Sequence, residues 1–269
     1  MWLGACSIAS AQCSRPISLA YTTPEIRQAF SGHPGANLPT IEEALGKESG
    51  CEIRLASYPT ARLWHEYFNG NLDVALGAIE SPRLDATGIF VPMDEDEWIL
   101  ITARNPSSVP KHLEDFLQRR DLLVGTIHGG VQGPRLDGII EALRQQGQID
   151  EFTDLHNGLE KLLLNRDAAL LTDVSHIEYV LSPRRFLALK LHSILQSQFL
   201  PTVIGIYLNK LSLGEKDRDD LQKAITSPAV QDQMTQLRRE RLRELDENNG
   251  GGGHDELPSS PAGPVHDRS

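Results

Sequence analysis

Long apolar runs are missing from this chain. No stretch approaches the roughly 20 residues a membrane-spanning helix requires, so a membrane-embedded reading is set aside. Basic residues are also in short supply. Lys and Arg number 26 against 37 Asp and Glu, for a net charge of −11 and a pI near 5.3. That balance argues against the basic patch or stripe of a nucleic-acid binder. Cysteine is scarce, with three residues in 269, and no Cys/His spacing matches a zinc site. The nine histidines are scattered and read as surface or capping residues. No catalytic set, cofactor motif or metal site is indicated.

What is present suits a packed core. Hydrophobic residues make up 39% of the 269, enough for one large or two modest domains. Part of the acidity is local. Asp246, Glu247, Asp255, Glu256 and Asp267 against Arg268 account for −4 of the −11. The segment 247–269 carries a glycine run and then Pro, Ser, Asp and His, with little apolar surface to offset the entropy of ordering, and is expected to be disordered. At the other end, residues 1–12 read as the remnant of an export signal. Ala9-Ser10-Ala11 is a small-x-small cleavage pattern, although the first basic residue is only Arg15. Leu3-Gly4-Ala5-Cys6 also resembles a lipobox, which makes a lipid anchor at Cys6 the less favoured alternative.

Between these ends the pattern alternates. Short apolar runs at 17–21, 52–56, 73–77, 98–103, 122–127, 168–172, 186–190 and 203–208 read as buried strands. Helical periodicity spans 39–48, 61–68, 136–146, 215–226 and 228–245, with Asn157 and Glu160 reading as a capping box. Such alternation predicts an α/β fold with parallel sheets. The break after the strand ending near Arg104, and the long strand near Thr202–Asn209, predict two lobes: 13–103 with 204–246, and 104–203. Two connecting strands then form a hinge, and hinged lobes commonly close around small ligands. Cys13 and Cys51 each precede a strand. If those strands are parallel neighbours their starts lie about 5 Å apart, within disulfide reach. Otherwise they are two unrelated thiols.

Several motifs occur in order: Tyr58-Pro59-Thr60-Ala61-Arg62, Asn69-Gly70-Asn71-Leu72-Asp73-Val74-Ala75, Glu80-Ser81-Pro82-Arg83, Ile89-Phe90-Val91-Pro92, Leu123 to Gly130, and Asp167 to Asp173. In this order the chain resembles the bacterial extracellular solute-binding proteins of family 3, receptor components of polar amino-acid ABC transporters. The resemblance covers about 13–245. It implies the two-lobe type II periplasmic-binding-protein fold, each lobe a mostly parallel sheet flanked by helices, joined by two hinge strands. It also implies a periplasmic monomer that takes up a small polar ligand, such as an amino acid, and delivers it to an ABC permease, without catalysis.

The resemblance further implies a site. Gly129, Gly130, Val131 and Gln132 match a helix start whose N–H groups favour an anion. Asp173 matches the ammonium-binding acid and also reads as a helix N-cap. Tyr58 matches an aromatic set against the ligand, and Tyr21 closes the first strand. The usual carboxylate-binding arginine falls on Leu84 here, leaving Arg83, one position early, or Arg62 to take its place. Thr22 and Glu25 occupy first-strand positions that usually contact ligand, with Glu25 expected in solvent. Two alternatives stand beside the receptor: an orphan sensor or interaction module that has lost amino-acid binding, and a dehydratase-like enzyme using an acid such as Glu80.

Overall fold

The structure, a computed structural model, describes residues 13–30, 38–195 and 202–250. The expected signal remnant at 1–12 and the tail beyond 250 lie outside the described residues. In the first lobe, β1 (Ile17–Tyr21), β2 (Ile53–Leu55), β3 (Val74–Ile79), β4 (Gly88–Asp96) and β10 (Thr202–Asn209) form one sheet. Its order is β2-β1-β3-β10-β4. Helices α1 (Pro24–Phe30), α2 (Ile41–Ser49), α3 (Thr60–Phe68), the single turn α4 (Pro82–Asp85), α9 (Glu215–Ile225) and α10 (Pro228–Gly250) accompany it.

The second lobe contains β5 (Trp98–Thr102), β6 (Val124–Ile127), β7 (Ile149–Phe152), β8 (Ala169–Asp173) and β9 (His192–Leu195). Their order is β7-β6-β8-β5-β9, and α5 (Pro134–Gln145), α6 (Leu155–Leu163), α7 (Val174–Val180) and α8 (Pro183–Ala188) flank them. In each sheet four strands run in one direction and a fifth, which connects to the other lobe, runs against them. β10 runs antiparallel between β3 and β4, and β5 runs antiparallel between β8 and β9. The chain thus crosses twice and each lobe is discontinuous.

Several expectations are refined. The first crossing falls at Glu97, not near 104, because Trp98–Thr102 already pairs with β8 and β9. The apolar run at 186–190 is not a strand. Ser182 accepts from Arg185 N and opens α8 there, and the strand comes later, at His192–Leu195. Asn157 is not an N-cap: Asp154 caps α6 by accepting from Asn157 N at 2.9 Å. The last helix extends to Gly250, four residues into the segment expected to be disordered.

Cys13 and Cys51 are joined, with Cα atoms 5.1 Å apart. β1 and β2 are the expected parallel neighbours, with Ile17 opposite Ile53. Asp73, the acid of the Asn69–Ala75 motif, is buried and works locally. It accepts two bonds from Arg15 (2.6 and 2.8 Å) and two from Ser18, tying β1 to the start of β3. Among the described residues no helix is long and apolar enough to cross a membrane.

Candidate functional site

The two lobes meet along the strand ends, and each sends apolar side chains into the other. Tyr179 of α7 belongs to the first-lobe core, where its ring lies edge-on to Phe30 at 6.2 Å. Val131 packs on the first-lobe cluster around Tyr67 and Leu84, and Ile79 reaches the second-lobe cluster around Trp98. The backbones also come close. A Cβ on Gly129 would sit 2.7 Å from the Ala61 Cα, and Gly129 has φ of +73°. A side chain there would be strained twice over, by conformation and by contact.

Polar bonds reinforce this closure. Glu25, only 2% exposed, accepts from the Leu155 N–H at 2.8 Å. It therefore lies between the lobes and not in solvent as expected. A carboxylate at the start of α6 is favoured by the helix dipole. Thr23 Oγ1 lies 2.9 Å from His176 Nε2, while His176 Nδ1 bonds Asp173. Asp173 also accepts from His176 N at 2.8 Å as the N-cap of α7. The Asp173 carboxylate holds the imidazolium, whose pKa is raised to about 9 against the cost of burial. Asp173 itself is lowered by the same pair. Nearby Asp96 is buried and faces that second carboxylate, which pushes it up to about 8; its oxygens accept from Glu97 N and Ser175 N.

Two spaces open at the junction. One, of about 260 Å³, lies on the hinge side between Phe30, Met93, Trp98, Tyr179 and Met234, with Asp96, Asp173, His176 and Arg238 at its polar end. Arg238 of α10 reaches Asp94 at 2.8 Å and Glu178 at 3.2 Å, one from each lobe. The other is a wider cleft of about 760 Å³ between α3 and α4 on one side and the β6–α5 loop on the other.

The wide cleft gathers Arg83, Gly129, Gly130, Val131 and Gln132 from the sequence expectations. Leu84 is buried in the first-lobe core. Ser81 caps α4 at Leu84 N, and Tyr207 fixes the same turn through Asp85 at 2.6 Å and Ser81 N at 3.0 Å. With Leu84 turned inward, Arg83 is exposed on the cleft wall, its guanidinium 4.4 Å from the Phe68 ring centroid. Among the described residues no carboxylate pairs with it. Arg62, by contrast, stacks over Tyr58 at 5.6 Å and pairs with Glu66 at 3.4 Å. The Gln132 N–H is held by Asp137 at 2.9 Å, a carboxyl whose pKa burial raises.

Neither Tyr21 nor Tyr58 lines either space. Tyr21 is buried and bonds Glu42 at 2.7 Å. Asp173 lines the hinge-side cavity and not the wide cleft. Sequence reasoning missed His176, Asp96 and Asp137, and misplaced Glu25. The partners Glu25–Leu155 and Thr23–His176 are 130 and 153 residues apart, and nothing local signals either pair.

No protein-family model matches the sequence, and neither does any curated protein. Solved structures do match. An ancestral arginine-binding protein bound to arginine is 15% identical with a TM-score of 0.61, over 82% of this chain and 96% of that one. The arginine-, lysine-, histidine-binding protein ArtJ from Geobacillus stearothermophilus is 17% identical, with a TM-score of 0.59 over 87% and 100%. The ancestral amino acid-binding protein AncCDT-1, a precursor of cyclohexadienyl dehydratase, is 15% identical, with a TM-score of 0.57 over 87% and 94%. At these identities the likeness is one of fold: this chain has the two-lobe type II periplasmic-binding-protein architecture.

Proposed function

We propose that this chain is a non-catalytic periplasmic solute receptor that binds a small polar molecule carrying an anionic group, an amino acid or a relative, in the wide interlobe cleft. In this reading it acts as a monomer and hands the ligand to an ABC permease. The observation that carries it is Arg83. A guanidinium stacked on Phe68, with no carboxylate partner among the described residues, on the wall of a cleft between two lobes, is preset for bidentate contact with a carboxylate. Asp137 across the cleft offers a partner for an ammonium. The likeness to amino-acid-binding proteins supports the ligand class by analogy of fold. The enzyme alternative gains little: Glu80 is exposed and makes no side-chain hydrogen bond among the described residues.

The test is a thermal-shift screen of the intact, disulfide-bonded chain against polar amino acids, polyamines and short carboxylic acids. A ligand at 100 times its dissociation constant adds about 2.7 kcal/mol to the folded state. The expected result is a hit lost in Arg83→Gln and weakened in Asp137→Asn. A hit indifferent to Arg83 places the ligand elsewhere, and a blank screen sinks the receptor reading in favour of a sensor or interaction module. One observation already favours that second reading. His176 already pairs with Asp173, the acid that the resemblance assigns to a solute's ammonium.

A further inference from the structure

Glu25 is 2% exposed, and its two oxygens are unequal. Oε1 accepts from Leu155 N, whereas Oε2 is buried with no hydrogen-bond partner. A buried carboxylate oxygen left without a proton, donor or cation is costly. Beside it stands His156, 8% exposed, whose ring makes no hydrogen bond among the described residues. Asp154 completes the group. It caps α6 through Oδ1, which accepts from Asn157 N, and its other oxygen accepts from Thr153 at 3.2 Å. One ligand-competent atom from each of Glu25, Asp154 and His156 lies within 4.8 Å of the others.

From this arrangement we propose that Glu25, Asp154 and His156 form a binding site for a divalent first-row transition-metal ion that joins the two lobes. Glu25 comes from α1 of the first lobe, and the other two come from the start of α6 in the second. A cation gives the orphaned Glu25 oxygen and the unpartnered imidazole a common partner. The donor set decides the class of ion. Imidazole with carboxylates suits Zn²⁺, Co²⁺, Ni²⁺, Mn²⁺ or Fe²⁺, whereas Ca²⁺ and Mg²⁺ prefer all-oxygen shells. Three protein ligands leave at least one coordination position for water or for a donor atom of a solute. Because the ligands come from both lobes, the ion binds the closed form more tightly than any open one and so favours closure.

Co²⁺ is the probe for this site. The full chain, free of any affinity tag and stripped with chelator, is titrated with Co²⁺ while visible d–d absorption is recorded, and in parallel with Zn²⁺ by calorimetry. The expected result is one ion per chain. Affinity should fall in both Glu25→Gln and His156→Gln by more than the roughly 10- to 100-fold that loss of an outer-shell partner costs. Circular dichroism and the metal-free melting temperature of each variant separate loss of ligand from loss of fold. Should one variant fail to fold, the other carries the comparison. The proposal is overturned by the absence of saturable binding, or by Co²⁺ spectra and affinities that are the same in wild type and folded variants. Arg83 is untouched by both substitutions, so solute binding can fail or succeed independently of this result.

Discussion

The Asp96–Asp173–His176 cluster predicts that this protein loses stability as the pH rises. His176 titrates at about 9 in the fold against about 6.5 in an unfolded chain. Its contribution is therefore complete below about pH 6.5 and is lost as the pH climbs through about 9. Asp96, held up to about 8 by burial and by Asp173, works in the same sense. It keeps its proton in the fold at neutral pH, and the unfolded chain releases it. The charged groups facing His176 are Asp173 on its own helix, Glu25 from α1 and Asp96 from β4, all acidic, so none reverses the sign. Since His176 and Asp96 share Asp173, their effect is taken once, as about 3 kcal/mol between about pH 6.5 and 9.5. Urea unfolding of the oxidised protein across that range, followed by tryptophan fluorescence, measures it directly. Wild type should fall, and the double variant His176→Gln, Asp96→Asn should lie nearly flat. A wild-type stability that is level or rising over this interval, or an equal slope in the double variant, refutes the argument.

Closing a loop of 38 residues, the Cys13–Cys51 bond is expected to contribute about 4 kcal/mol through the unfolded state. The Cys13→Ser, Cys51→Ser pair should lower the urea midpoint accordingly, with spectra otherwise unchanged. Gly129→Ala places a Cβ 2.7 Å from Ala61 Cα at a φ of +73°. Small-angle scattering should show a more open molecule, and an unchanged radius of gyration would mean the loop yields instead. If closure rests on protein groups, a bound solute should leave that radius nearly unchanged, while a double substitution Glu25→Ala, Thr23→Ala should increase it without solute.

Much of the fold could be read from periodicity, and its failures have physical causes. Of the four edge strands, β2 was legible at 52–56 and the other three were the hard ones. β4 carries Pro92 and an acidic end at Asp94–Asp96, a composition that suits an edge strand and hides it from hydrophobic pattern. β7, at the edge of the other sheet, holds Asp150 and Glu151 between Ile149 and Phe152. Phe186-Leu187-Ala188-Leu189 imitates a strand, yet Ser182 four residues earlier is the capping signal that wins. The cleft was half legible. The glycine loop and Arg83 were marked by their motifs, and the buried Leu84 explains how a one-residue shift still delivers an arginine to the cleft wall. Closure was illegible because it depends on pairs such as Thr23–His176, formed only once both lobes exist.

In a two-lobe receptor, closure is stabilised to the extent that a ligand bonds both lobes better when they are shut. Here those bonds exist within the chain: Glu25 occupies the start of α6, His176 neutralises Asp173 and reaches Thr23, and Tyr179, Val131 and Ile79 exchange apolar contacts. Under the proposed receptor reading, a solute arriving at Arg83 need not supply all of the free energy of shutting the lobes. Its affinity would then report the Arg83 cleft, while Glu25, Thr23 and His176 join the lobes without it. On the proposed reading, much of the closure is carried by residues outside the Arg83 cleft, whereas Val131 both lines that cleft and packs on the first lobe.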